Sequence, residues 1–228
     1  MKHISISEII GHAWKLFKAH WVLLVSLSIL NWAISFVSDY ISKLGQVTRV
    51  PESLTLYAFT ALSLGIISTL IHIGVLRIGL DIVDGKKPKP EELLNHSSLF
   101  WKFLAVTVIS AGVLIVSIAI PVGIGLLLAF ALHQASYLAL GFIAIIPAVY
   151  LSLIFFFAPA IIVDTDSKII ATFKKSAAMT KHNRWSLLGF VVAFAVLNIF
   201  GVILLGFGLL VTFPVTLLAY ISLYRKFA

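Results

Sequence analysis

The chain has 228 residues, of which 61% are apolar and only 11% charged, and its mean hydropathy is +1.09. A soluble domain carries about 25% charge and about 45–50% apolar residues, so water is excluded as the solvent for most of this surface. The absence of cysteine excludes a disulfide framework, thiolate catalysis and a Cys-based zinc site, and the net charge of +8 flanks apolar runs instead of forming the single patch that nucleic acid requires.

The first predicted element is amphipathic. Ser5 and Glu8 form an S-x-x-E capping pattern, with Ile4 and Ile9 placed as a hydrophobic staple, so a helix is expected from about Ile6. Ile6, Ile10, Ala13, Trp14, Phe17 and Trp21 follow helical spacing, while His12, Lys15 and Lys18 lie off that stripe. The segment is expected to lie in the cytoplasmic interface and feed the first span. Charged and His residues run on to His20, unlike the short apolar core of a cleaved signal peptide.

Six apolar runs follow, at 21–41, 54–80, 103–132, 138–163, 185–205 and 208–224. About 20 helical residues cross a hydrocarbon core of about 30 Å. Pro121 with Gly123 and Gly125 predicts a break in the third run, and Pro147 and Pro159 predict kinks in the fourth. The sixth run is short, and Pro214 weakens its start. Gly201, Gly206 and Gly208 suit a close helix approach or a break between the last two runs.

Fifteen of the seventeen Lys and Arg residues fall in the N-terminal segment, the second gap with its helix ends (which takes in Arg77), the fourth gap and the tail; Lys43 and Arg49 are the other two. Short loops rich in Lys and Arg stay cytoplasmic, which predicts both termini inside and the loop 133–137 outside. The expected fold is all-α: a polytopic membrane bundle of six transmembrane helices with amphipathic interfacial helices, in one domain spanning 1–228.

A threefold pattern runs through it. A feeder segment leads to Trp21, Trp101 or Trp185, and each Trp is followed by Leu three residues later. The second feeder starts at Pro90, with Glu91 and Glu92 in its first turn. The third covers about 167–182, with Ile169, Ile170, Phe173 and Ala177 as its apolar stripe. Repeat units of 5–84, 89–164 and 167–228 would form a pseudo-threefold bundle. The competing explanation is that Trp simply prefers membrane interfaces.

Several short stretches carry a resemblance: Ile6-Ser7-Glu8-Ile9-Ile10 leading to Trp14-Lys15-Leu16-Phe17-Lys18; Gly74 to Asp81 followed by Gly85-Lys86-Lys87-Pro88; Ala158-Pro159 with Asp164; Ser176; and Gly206 through Pro214. Together they resemble a family of uncharacterised bacterial inner-membrane proteins with six helices. They are also similar to the membrane region of some glycerophosphodiester phosphodiesterases. The chemistry of those enzymes resides in a separate soluble barrel, so the resemblance implies a membrane module in the bacterial cytoplasmic membrane, without that activity.

Polar groups at membrane depth are few: Asn31, His72 and Asn198. Such groups are costly in lipid and mark either function or interhelical hydrogen bonds. His72 suits a proton carrier, ligand contact or haem ligand, or a neutral partner to another helix; a haem would need a second partner or a recognisable site. Arg77, Asp81 and Asp84 form a polar cap where the second helix leaves the membrane, either a docking site or a local ion pair. Lys15, Lys18, Lys86, Lys87, Lys174, Lys175, Lys181 and Arg184 are candidate headgroup contacts, each worth about 1 kcal/mol near an anionic surface.

No Walker loop, HExxH or G-x-S-x-G motif occurs, so no catalytic, metal or cofactor site is assigned. The expected function is non-enzymatic: an accessory, assembly or envelope-homeostasis factor that contacts anionic membrane lipids or a membrane-protein partner, with no nucleic acid. The alternative is a small transporter or permeation protein for a lipid-like solute, suggested by the proline-interrupted spans.

Overall fold

A computed structural model describes residues 5–47, 51–93, 97–132, 145–204 and 206–228, with backbone alone at 42, 44–47, 51–57, 92, 132 and 145–147. Ile4, Arg49, the loop 133–137 with His133, the start of the fourth run at 138–144, and the side chains of Glu92 and Pro147 lie outside the described residues.

Among the described residues the chain is helical, with no strand. The helices are α1 (Ile6–Val47), α2 (Pro51–Val83), α3 (Phe100–Leu132), α4 (Ile145–Phe155), α5 (Ala158–Thr165), α6 (Ile169–Thr180), α7 (Arg184–Ile203) and α8 (Leu209–Phe227). Two 3-10 turns, Pro90–Leu93 and Ser97–Leu99, lie between α2 and α3. Six stretches among the described residues are long and apolar enough to cross a membrane: Ile6–Ile41, Ala58–Val83, Ser97–Ala131, Ala148–Thr165, Arg184–Ile203 and Leu209–Phe227. This is a multi-pass membrane helix bundle. Its large exposed side chains, including Phe36, Phe59, Leu127 and Phe130, are apolar, as lipid rather than water requires.

The chain divides into two compact units, Met1–Phe100 with Gly189–Ala228, and Trp101–Leu188. In the first unit, α1 starts at Ile6 as the capping pattern predicts, and its backbone leaves helical geometry at His20 (φ −126°, ψ 23°), directly before Trp21. The reciprocal capping bonds expected of Ser5 and Glu8 are not made, however: the Ser5 hydroxyl bonds that of Ser7, and the Glu8 carboxylate is drawn to Lys226 at 2.9 Å. The buried face of the first segment is Ile9, Ala13 and Phe17, at spacings of four; Trp14 and Trp21 stay exposed. The most deeply buried side chains of this unit gather at the same end, among them Ile73, Ile78, Leu80, Leu218, Ile221 and Tyr224.

Two glycines allow the approaches that close this core. A Cβ at Gly74 would stand 2.5 Å from the Leu93 Cα, so the 3-10 turn Pro90–Leu93 lies directly on the α2 backbone. The second feeder is therefore a short 3-10 turn beginning at Pro90, not a full α-helix. Between α7 and α8, a Cβ at Gly208 would stand 2.7 Å from the Gly201 Cα, and Gly206 turns the chain with φ of +80°.

In the second unit, α3 passes unbroken through Pro121, against the break expected there. One missing N–H costs little within a 33-residue apolar helix whose remaining hydrogen bonds are internal. The expected interruption of the fourth run is present: α4 ends at Phe155 and α5 begins at Ala158, with Pro159 in its first turn, where no N–H is needed. The carbonyl of Ile154, beside this break, accepts a 2.6 Å bond from the Ser176 hydroxyl of α6.

That bond sets which face of α6 is buried. Thr172, Ser176 and Thr180 are fully covered, whereas Ile170 is 71% exposed. Of the apolar stripe expected from the sequence, Ile169, Phe173 and Ala177 are half-buried, Phe173 edge-on to Phe155 at 5.1 Å, and Ile170 faces outward, so the stripe flanks the buried face instead of forming it. Small hydroxyl side chains let α6 pack closely on α4 and α5; Ser176 bonds a carbonyl of α4, while Thr172 and Thr180 return to carbonyls of their own segment, Lys168 and Ala177.

Candidate functional site

The three intramembrane polar residues have different fates. Asn198 of α7 is fully engaged with α8: its amide nitrogen donates to the Thr216 hydroxyl (3.1 Å) and to the Phe194 carbonyl (2.8 Å), and its oxygen accepts from Thr212 (3.2 Å). This network ties two helices and uses both amide N–H groups and one of the oxygen's two lone pairs. Asn31 and His72 come together from α1 and α2 and line one cavity of about 10 Å³ with Ser28 and Pro214, room for about one water. Neither side chain makes a hydrogen bond among the described residues.

The polar cap is rearranged relative to its sequence reading. Arg77 makes no ion pair among the described residues, and its Nε is buried without a hydrogen-bond partner. Asp81 is buried and lies 3.9 Å from Lys86. Asp84 is held from the other end of the chain by Arg225, whose Nε and Nη2 donate to its two oxygens at 2.8 and 2.7 Å. The local pair Arg77–Asp81 is absent because Asp81 turns into the core and a bidentate guanidinium captures the next acid. Spacing alone had no means of finding a partner 141 residues away.

The candidate headgroup contacts are at the surface. Lys15, Lys18, Lys86, Lys87, Lys174, Lys175 and Lys181 are exposed. On α6, Ile170, Lys174 and Lys181 share the face opposite the buried hydroxyls. Trp185, one residue into α7, is 86% exposed, and Trp101, one residue into α3, is 75% exposed.

Arg184 differs from the lysines. Its guanidinium lies 4.3 Å from the centroid of the Tyr150 ring, and its Nη1 donates to the Tyr150 hydroxyl. Its Nε is buried with no partner, and no carboxylate pairs with it among the described residues. The acid nearest in sequence, Asp166, is taken by Lys102 at 2.6 Å. Tyr150 thus fixes a permanently charged group without neutralising it. Tyr150 was not singled out from sequence; it lies 34 residues away, within α4.

Among the described residues no group of His, Asp and Glu side chains could hold a metal ion. The strongest chemistry present is therefore a fixed cation beside exposed aromatic and lysine side chains. Compared with known proteins, the chain matches no family model, no curated protein and no solved structure.

Proposed function

We propose that this protein is a non-enzymatic membrane factor that works by contact, holding the phosphate of anionic lipid headgroups at its cytoplasmic face and presenting that face to a membrane-protein partner. The observation that carries the reading is Arg184: charged, positioned by Tyr150 and unpaired, beside an 86% exposed Trp185. A guanidinium matches phosphate geometry in two directions, and its charge cannot be lost by deprotonation. Lys174, Lys175 and Lys181 add charge on the neighbouring exposed face, and Trp185 suits the headgroup level.

The charge asymmetry between alternate gaps supports both termini in the cytoplasm and a place in a bacterial inner membrane. The family of six-helix inner-membrane proteins fits this reading. The exposed Trp21, Trp101 and Trp185, each at a helix start or kink, support a repeat of 5–84, 89–164 and 167–228.

Native mass spectrometry of the detergent-purified protein with equal phosphatidylglycerol and phosphatidylcholine tests the reading. Phosphatidylglycerol is expected to be retained preferentially, with the preference falling several-fold in Arg184→Gln. Equal retention of both lipids, or a preference unchanged by that substitution, overturns it. Flux of a lipid-like solute through vesicles carrying the protein would replace it with a transport function.

A further inference from the structure

The α7–α8 hairpin ends partway along the membrane-facing length of the helices it packs against. The turn at Gly206 meets α1 at Trp32: a Cβ on this glycine would lie 3.5 Å from the Trp32 Cη2. The stretch of α1 from Trp21, just past the kink, to Tyr40 has twenty residues and is about 30 Å long, the thickness of a hydrocarbon core. Trp32 lies eleven residues from the start of that stretch and eight from its end, so the turn stops about 12 Å short of the far boundary.

The second helix gives the same depth independently. Phe213, Pro214 and Leu217 of α8 line one cavity with Ile71, His72 and Val75 of α2. Leu209, where α8 begins, lies five residues before Pro214, about 7 Å nearer the turn. That places the turn near the level of Ile66, yet α2 stays exposed and apolar for two further turns, at Leu62 and Phe59.

The opposite end of α8 is not available to the membrane core. Lys226 pairs with Glu8, and Arg225 with Asp84, so this end lies level with the polar start of α1 and the polar end of α2. Leu218, Ala219, Ile221 and Leu223 are buried there in protein. The large apolar side chains of the hairpin that stay exposed are Trp185 at the start of α7, a run from Val192 to Ile203 further along it, Leu204 and Phe207 in the turn, and Phe213 on α8. From Val192 to Ile203 is about 17 Å, little more than half of a hydrocarbon core.

We infer that α7 and α8 form a re-entrant hairpin, entering and leaving on one face with its tip near mid-bilayer. Each of the two helices is long enough to cross, but about half of α8 lies in the packed layer at one end of the unit. The far portions of α1 and α2, bearing Phe36, Tyr40, Phe59 and Leu62, stand above the tip. The acyl chains of the far leaflet cover them, since the remaining depth of about 12 Å is close to one leaflet's half of a core of about 30 Å. The inference does not depend on headgroup binding by Arg184.

The absence of cysteine permits a clean test. Single-cysteine variants Phe207→Cys, Lys43→Cys and Lys86→Cys are treated with a membrane-impermeant maleimide in open membrane fragments, where both faces are accessible. Positions 43 and 86 are expected to react, while position 207 stays at least tenfold slower until detergent is added. Position 207 reacting at the rate of position 43 overturns the inference. Leu204→Cys serves as the second probe if Phe207→Cys does not accumulate, with the same two outcomes. Loss of phosphatidylglycerol preference in Arg184→Gln would leave these rates unchanged, so the two proposals fail separately.

Discussion

At the residue scale, the glycines separate most clearly into those that space requires and those that it does not. Gly74 has Leu93 backbone where a Cβ would go, whereas Gly65, one helix face away, has nothing within 4 Å. Gly74→Ala is expected to destabilise the protein by about 1–3 kcal/mol, because backbone rather than a flexible side-chain tip must move. Gly65→Ala is expected to be neutral or stabilising by up to about 1 kcal/mol through helix propensity. Reversible unfolding in mixed micelles compares the two; equal effects would remove the packing explanation. In the sequence both are simply glycines in an apolar run. Likewise Arg77 and Asp81 have ion-pair spacing, and only the fold turns Asp81 inward and gives Asp84 to Arg225.

Among elements, hydrophobic length was easily read and hydrogen-bond destination was not. The kink before Trp21 and the break before Pro159 both follow from local chemistry: a change from polar to apolar composition, and a missing N–H. Pro121 carries the same local signal, yet α3 continues through it. The difference lies in what surrounds each proline. At the break in the fourth run, Ser176 from α6 takes over the Ile154 carbonyl. Ser176→Ala is therefore expected to cost about 1–3 kcal/mol, the penalty for an unsatisfied buried carbonyl. Hydrogen exchange should accelerate in α6 and stay unchanged in α1 and α8. Uniform acceleration, or none, would show that the bond does not hold this helix. The same bond explains why hydroxyls are buried on α6 while Ile170 faces outward; a hydropathy stripe cannot register a carbonyl awaiting a donor.

At the scale of the whole molecule, the first unit is closed by groups far apart in the chain. Glu8 with Lys226 and Asp84 with Arg225 join the start of α1, the end of α2 and the end of α8. A double-mutant cycle on Asp84→Asn and Arg225→Gln is expected to give a coupling of about 1 kcal/mol that falls with added salt. Coupling near zero would mean that apolar packing alone holds this end together. The membrane class, six apolar stretches and the alternation of charge were legible without the fold, because lipid imposes length and polarity on every helix separately. Which polar groups meet, which face of α6 is covered and how deep the α7–α8 turn sits were decided only in three dimensions. Those depend on the relative placement of segments up to 218 residues apart, set by close backbone approach at a few glycines and by carbonyls and charges finding partners that no local pattern encodes.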